Sequence, residues 1–114
     1  MNMIRTLLSR FRMWWTGPSA VLLPDWKLVM YTRRGCHLCE AAWEELRAEQ
    51  IRFQFALAMV DIDTDPELKA LYGDEVPVVT VNGKVRFRCG VNKVLLGRLL
   101  KAETAKRSRG KKQT

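Results

Sequence analysis

An Asn-Gly pair between two apolar runs is the feature that most constrains the fold of this chain. Val78–Val81 precedes Asn82-Gly83, and Lys84–Phe87 follows it. Each run has the length and composition of a strand, and Asn-Gly is the pair that a two-residue type I′ hairpin prefers. The second half of the chain is therefore predicted to contain two antiparallel strands.

A β-α-β unit is predicted in the first half. Residues 28–31 form a short apolar run of strand length, and residues 36–50 have helical spacing. Residues 53–59 alternate in polarity, as in a strand that ends at Asp61 with Leu57 and Met59 on its core face. Two strands joined through a helix pair in parallel, with a right-handed crossover. The helix face predicted to enter the core carries Leu38, Ala41, Ala42 and Leu46.

Two further helices are predicted from their caps. Asp65 precedes Pro66, which is typical of a helix start, and Gly73 follows as its stop. Asn92 is placed to cap a last helix. The order β-α-β-α-β-β-α predicts an α/β fold in which helices flank a four-stranded mixed sheet. The apolar stripe of the last helix comprises Leu95, Leu96, Leu99 and Leu100.

The charge of the chain is concentrated at its two ends. The 114 residues carry a formal net charge of +8. Residues 1–24 contribute +3, residues 25–100 are neutral, and residues 101–114 contribute +5. We therefore predict a basic amphipathic extension over residues 1–25, a domain over 26–101 and a basic disordered tail over 102–114.

The N-terminal extension has apolar residues at helical spacing, with arginines among them. Such a helix suits contact with an anionic membrane surface, an organelle-targeting role, or packing on the domain, and the sequence leaves the three open. The longest uncharged stretch, residues 13–24, is shorter than the about 20 residues that a membrane span needs. The apolar positions are Ile4, Leu7, Leu8, Phe11, Trp14 and Trp15, and the arginines are Arg5, Arg10 and Arg12.

Cysteine usage favours a reducing compartment. Cys36, Cys39 and Cys89 are too few and too unevenly spaced for the disulfide framework of a small secreted domain. We expect a cytoplasmic protein, with peripheral contact to a membrane surface as the role open to the N-terminal helix.

Redox chemistry is predicted where the first strand meets the first helix. The helix N-terminus stabilises a thiolate at Cys36, and the thiolate is the form that attacks a disulfide. Cys39 lies one turn deeper on the same face, where it can resolve a mixed disulfide. Arg33 and Arg34 add positive charge, and His37 is open to the same pKa-tuning role or to a solvent-facing one.

The cysteines have two other possible uses, a structural zinc site and a chance pair of buried thiols. A structural zinc site needs four ligands, and only the three cysteines and His37 are at hand, so no metal is expected. The pair Cys36 and Cys39 is too well placed for a chance pair of buried thiols. Cys89 is expected to be a buried small hydrophobe, with a third thiol near the site as the alternative.

These motifs together resemble the glutaredoxin-like family of the thioredoxin superfamily. The resemblance covers about residues 26–101 and rests on three motifs. The first is residues 30–39, which include the Cys36-x-x-Cys39 pair, the second is Val-Asp-Ile-Asp at residues 60–63, and the third is Val76-Pro77 before the hairpin. It implies a thioredoxin-like fold of glutaredoxin type. It also implies that Cys36 attacks, that Cys39 resolves, and that Pro77 is a cis-proline whose neighbour Val76 offers its backbone to a substrate.

The resemblance also leads to expectations about the substrate and the partners of the protein. Dithiol glutaredoxins have Pro-Tyr between the cysteines, where this chain has His37-Leu38, and the stretch 89–92 lacks the family's acidic residue for glutathione. The predicted function is a thiol-disulfide oxidoreductase without a bound cofactor, with glutathione as the candidate co-substrate and Arg33 and Arg34 beside the substrate. Its partners would be a disulfide-bearing protein or glutathione, and a reductase or low-molecular-weight thiol, but no specific nucleic acid. The alternative is a non-catalytic redox-sensing or binding module held on a membrane or polyanion by its basic ends.

Overall fold

The computed structural model describes residues 22–113, with side chains to residue 110, so residues 1–21 of the extension predicted over residues 1–25 lie outside the described residues. The strands are β1 (Lys27–Thr32), β2 (Ala56–Asp61), β3 (Val78–Val81) and β4 (Lys84–Phe87). The helices are α1 (His37–Phe53), α2 (Pro66–Tyr72) and α3 (Lys93–Gln113), and one 3-10 turn spans Ile62–Thr64.

The sheet has the predicted mixed character. Its strand order is β2-β1-β3-β4, with β1 parallel to β2 and antiparallel to β3. Met30 in the central strand β1 lies opposite Met59 of β2 and Val79 of β3. The β-α-β crossover therefore places the N-terminus of α1 at the carboxyl end of β1.

The Asn-Gly hairpin is confirmed. Asn82 and Gly83 have φ values of 52° and 85°, and a type I′ turn requires a positive φ at both positions. Asn82 also holds the start of β1, since its side-chain oxygen accepts the N–H of Lys27 at 2.9 Å and its own N–H donates to the Lys27 carbonyl at 2.8 Å. The turn thus fixes the register of β3 against β1 as well as against β4.

Helices cover both faces of the sheet. Met30 packs in one fully buried cluster with Leu46 of α1 and Leu96 of α3. Tyr31 points to the opposite face, because successive strand residues alternate. There its ring lies 4.9 Å from the ring of Tyr72 in α2. The sheet is therefore covered by α1 and α3 on one face and by α2 on the other.

The predicted boundary between α1 and β2 was wrong. The helix continues to Phe53 and ends at Gln54, whose φ of 62° is left-handed, so the strand begins only at Ala56. Met59, expected in the core, is 47% exposed because β2 is an edge strand of the sheet. An edge strand of this kind leaves apolar surface available beside the site.

The buried face of α1 is rotated from the predicted one. Leu38 is 60% exposed and Ala41 is exposed, whereas Ala42 and Leu46 are buried as expected. The inward stripe begins instead at Cys39, and the i, i+3, i+4 spacing then carries it along the helix. Its members are Cys39, Ala42, Leu46, Glu49 and Phe53.

The C-terminal tail is helical, which corrects the prediction of a disordered segment. α3 runs to Gln113, and Arg107 donates to both carboxylate oxygens of Asp25, at 2.7 and 2.9 Å. Leu23, assigned to the N-terminal extension, is fully buried and donates its N–H to the Phe53 carbonyl at 2.8 Å. Residues 22–25 and the end of α3 therefore pack on the domain and on each other. None of the helices within residues 22–113 is long and apolar enough to cross a membrane.

Candidate active site

Cys36 is the N-cap of α1. Its φ and ψ of −93° and 106° are extended, and its Sγ accepts the N–H of Cys39 at 3.1 Å. Gly35 precedes it with a φ of 76°, a left-handed conformation that glycine adopts without a Cβ penalty. The turn from β1 into α1 therefore points the Cys36 sulfur at the unpaired N–H groups of the helix N-terminus, where negative charge is stabilised.

The structure brings the two predicted redox cysteines together. Cys36 and Cys39 are joined by a disulfide, with their Cα atoms 5.2 Å apart. Cys39 is only 2% exposed and packs in the hydrophobic core, whereas Cys36 is half-buried at the edge of that core. A substrate can therefore approach Cys36 far more easily than Cys39.

A groove of about 530 Å³ opens beside the disulfide, and we call it the site groove. Its apolar wall includes Met30, Trp43 and Met59. Trp43, which sequence patterns place more often in a core, packs on the core and lines this groove as well. The rest of the lining is polar and comprises Thr32, Arg33, Arg34, Gly35, Glu40, Glu44 and Asp61, together with the two cysteines.

The two arginines before the cysteines have different environments. The Arg33 guanidinium contacts both carboxylate oxygens of Asp63, at 3.1 and 3.3 Å, and donates to the Gly73 carbonyl at 3.2 Å. Arg34 is exposed at the rim of the site groove. Arg33 is thus engaged within the domain, and Arg34 presents its charge to the groove. Sequence reasoning missed Asp63 as the partner of Arg33.

Pro77 has the cis peptide bond that the resemblance implied, but neither Val76 nor Pro77 is among the residues that line the site groove. The Val76–Pro77 bond is cis, and Pro77 is fully buried. Cys89 donates its N–H to the Glu75 carbonyl at 2.7 Å, so the turn after β4 is bonded to this loop. Contact of the Val76 backbone with a substrate stays a prediction.

Comparison with known proteins decides the family. The family model for the glutaredoxin-like domain (DUF836) matches residues 27–103. The chain belongs to this family. The matched part of the chain holds every strand and all of α1 and α2, together with the first half of α3.

Individual relatives agree with the assignment. An uncharacterized protein of Mycobacterium tuberculosis is 32% identical in an alignment of 60 positions that covers 48% of this chain and 62% of that protein. The solution structure of protein Ne2328 from Nitrosomonas europaea is 35% identical, with a TM-score of 0.59, over 68% of this chain and 93% of the other. A thioredoxin of Halobacterium salinarum, 20% identical over 70% of this chain and 75% of its own, has a TM-score of 0.55 and shares the fold.

Two residues of this glutaredoxin-like domain have surroundings that their sequence context left open. Cys89 is exposed, with a φ of 63°, so the expectation of a buried small hydrophobe was wrong. The His37 side chain is 94% exposed, and its Nδ1 lies 4.0 Å from a carboxylate oxygen of Glu40.

Within residues 22–113, no cluster of three or more His, Cys, Asp or Glu is arranged to hold a metal ion.

Proposed function

We propose that this glutaredoxin-like domain is a thiol-disulfide oxidoreductase in which Cys36 attacks and Cys39 resolves. The thioredoxin fold and the disulfide-capable Cys36-x-x-Cys39 pair support redox function in general. The observation that carries the division of roles is the contrast in burial, with Cys39 2% exposed and Cys36 half-buried beside the site groove.

In the first step, the Cys36 thiolate attacks one sulfur of a substrate disulfide. A Cys36–substrate disulfide forms, the substrate S–S bond breaks, and the first substrate thiolate leaves. The helix N-terminus and the Cys39 N–H favour the thiolate form of Cys36.

In the second step, Cys39 loses its proton and its thiolate attacks the Sγ of Cys36. The second substrate thiolate leaves, and the Cys36–Cys39 disulfide forms. Two electrons have then passed from the enzyme dithiol to the substrate, which becomes a dithiol after two protonations. Two equivalents of a thiol, or one dithiol reductase, return the enzyme to its reduced state by the same exchange in reverse.

The site groove favours a disulfide-bearing protein as the substrate. Trp43 and Met59 supply an apolar wall beside the cysteines, and the exposed Arg34 supplies charge at the rim. The turn after β4 gives little support for a dedicated glutathione site. Its last residue, Asn92, uses its side-chain oxygen to accept the Leu95 N–H at 3.0 Å and so caps α3. We therefore propose glutathione as one of the thiols that recycle the enzyme, and a protein disulfide as the substrate.

Trapping of the intermediate tests the division of roles. The reduced Cys39→Ser variant, treated with dithiobis(nitrobenzoate), is expected to retain a mixed disulfide at Cys36 that intact-mass and peptide analysis locate. The Cys36→Ser variant is expected to lose disulfide turnover, and Cys89→Ser, the matched control, to retain it. Undiminished turnover by Cys36→Ser, or the absence of an adduct at Cys36 in the Cys39→Ser variant, would contradict the proposal.

A further inference from the structure

α3 carries a row of exposed cations on its outward side. Arg98, Lys101 and Arg109 are all exposed, and they occur three and eight positions apart, which places them on one side of a helix. We call these three residues the basic face. With a rise of about 1.5 Å per residue, the basic face extends over about 17 Å. Residues 104–113 of this helix lie beyond the part of the chain that the family model matches.

The opposite side of α3 packs on the domain. Leu96 and Leu100 are fully buried in the core. Two turns after Leu100, Arg107 bonds to Asp25 in a bidentate ion pair and to Glu103 at 2.9 Å. Glu103 is the sole acidic residue of α3, and this pairing keeps it on the inward side, away from the basic face.

The ion pair of Arg107 with Asp25 ties the C-terminal half of α3 to the domain, so its cations differ from those of a disordered tail. A disordered basic tail would spread its charges over many conformations, whereas this helix holds them in a fixed row. One strand of a nucleic-acid duplex carries a phosphate about every 3.4 Å, so about five phosphates lie along the about 17 Å of the basic face. The charge and length of the face therefore suit a run of phosphates.

We propose that the basic face binds the phosphodiester backbone of a nucleic-acid duplex without reading its sequence. A membrane surface fits the helix less well, since an interfacial helix needs a free apolar face along its length. Leu96 and Leu100 are buried in the core, and the exposed Val94 and Leu95 both lie in the first turn of α3. Single strands fit less well because no aromatic side chain of α3 is present for bases to stack on. This binding is independent of the redox chemistry at Cys36.

The test compares two triple variants of the full chain that lose the same charge. One is Arg98→Gln with Lys101→Gln and Arg109→Gln. The other, the control, replaces three exposed cations of the sheet by Lys27→Gln, Lys84→Gln and Arg86→Gln. Binding to a fluorescent duplex of arbitrary sequence is measured by anisotropy over a range of salt concentrations. Binding to phosphatidylglycerol vesicles is measured in parallel, and disulfide turnover monitors the fold of each variant.

Each lost phosphate contact makes the slope of log affinity against log salt concentration shallower by about 0.9. The basic-face triple is therefore expected to have a slope shallower than that of the unmodified protein by about 2.7, while the control triple keeps the original slope. Equal slopes for the two triples, or no duplex binding at low salt, would overturn the proposal. Vesicle binding as tight as duplex binding would overturn it in favour of a membrane surface.

Discussion

The N–H of Cys39 donates to the Sγ of Cys36 across the first turn of α1, at 3.1 Å. The residue proposed to resolve the mixed disulfide therefore also supplies, through its backbone, a donor to the sulfur proposed to attack. Because this donor is a main-chain group, substitution of the Cys39 side chain leaves it in place. The N-cap position of Cys36 adds the positive end of the helix dipole to the same sulfur.

Reduced Cys36 is expected to have a thiol pKa below the ordinary value of about 8.5. A hydrogen-bonded N-cap thiolate is stabilised relative to the thiol, so its alkylation should proceed at neutral pH. The measurement is the rate of iodoacetamide alkylation against pH, in a Cys89→Ser background so that a single exposed thiol is followed. An inflection at or above about 8.5 would mean that the helix terminus does not activate the sulfur.

Replacement of Arg33 should affect stability more than replacement of Arg34. Arg33→Met removes a bidentate contact to Asp63 and a hydrogen bond to the Gly73 carbonyl, both near the surface. The expected loss in the free energy of unfolding is about 0.5–1 kcal/mol, measured by urea denaturation. Arg34→Met is the matched control, since no hydrogen bond or ion pair holds its side chain among residues 22–113, and its effect should be smaller. Equal losses would show that the Arg33 contacts add nothing.

Stability should depend on pH through the pairing of Asp25 with Arg107. The hydrogen bonds from Arg107 lower the pKa of Asp25 below its ordinary value of 3.8, and those to Asp25 and then Glu103 raise the pKa of Arg107. A lowered carboxyl pKa contributes stability that is complete above pH 3.8 and is lost as the pH falls through the folded-state value.

Thermal unfolding of Asp25→Asn measures that contribution. The variant is expected to melt below the unmodified protein at pH 7 and to converge with it as the acid limit is approached. Asp74→Asn is the control, because Asp74 is exposed and has no ion-pair partner among the residues described. A constant difference between Asp25→Asn and the unmodified protein across the pH range would contradict the assignment.

Truncation of Leu96 tests the attachment of α3 to the sheet. Leu96 is fully buried, and its neighbour Leu95 is 51% exposed. Leu96→Ala should lower the free energy of unfolding by about 2–5 kcal/mol, since it removes core contacts and leaves a cavity. Leu95→Ala should change it by less than about 0.5 kcal/mol, and urea titration of both variants measures the difference. Similar losses for the two would mean that α3 does not pack as described.

Local sequence chemistry predicted the hairpin and the caps because each is set by a few adjacent residues. Asn82-Gly83 adopts the two positive φ values that define its turn. Asp65 accepts N–H bonds from the first turn of α2, and Asn92 does the same for α3. The β-α-β order and the redox pair followed from the same kind of reasoning.

Features set by distant contacts were not predictable in this way. Beyond residue 101, α3 stays helical and its Arg107 pairs with Asp25, which lies 82 positions away. The exposure of Met59 follows from the edge position of β2, which only the sheet order determines. Arg33 likewise acquires its partner Asp63 from another loop. The spacing of apolar residues along the chain carries no information about such distant contacts.

The proposed electron exchange requires that Cys36 and Cys39 form and lose their disulfide reversibly, and the reduction potential of the pair measures this. The protein would be equilibrated in graded thiol buffers and its free thiols alkylated and counted by mass. A midpoint within about −200 to −270 mV, abolished by Cys36→Ser and preserved in Cys89→Ser, is the predicted result. Failure of a Cys36–Cys39 disulfide to form in any buffer would contradict an oxidoreductase role for this domain.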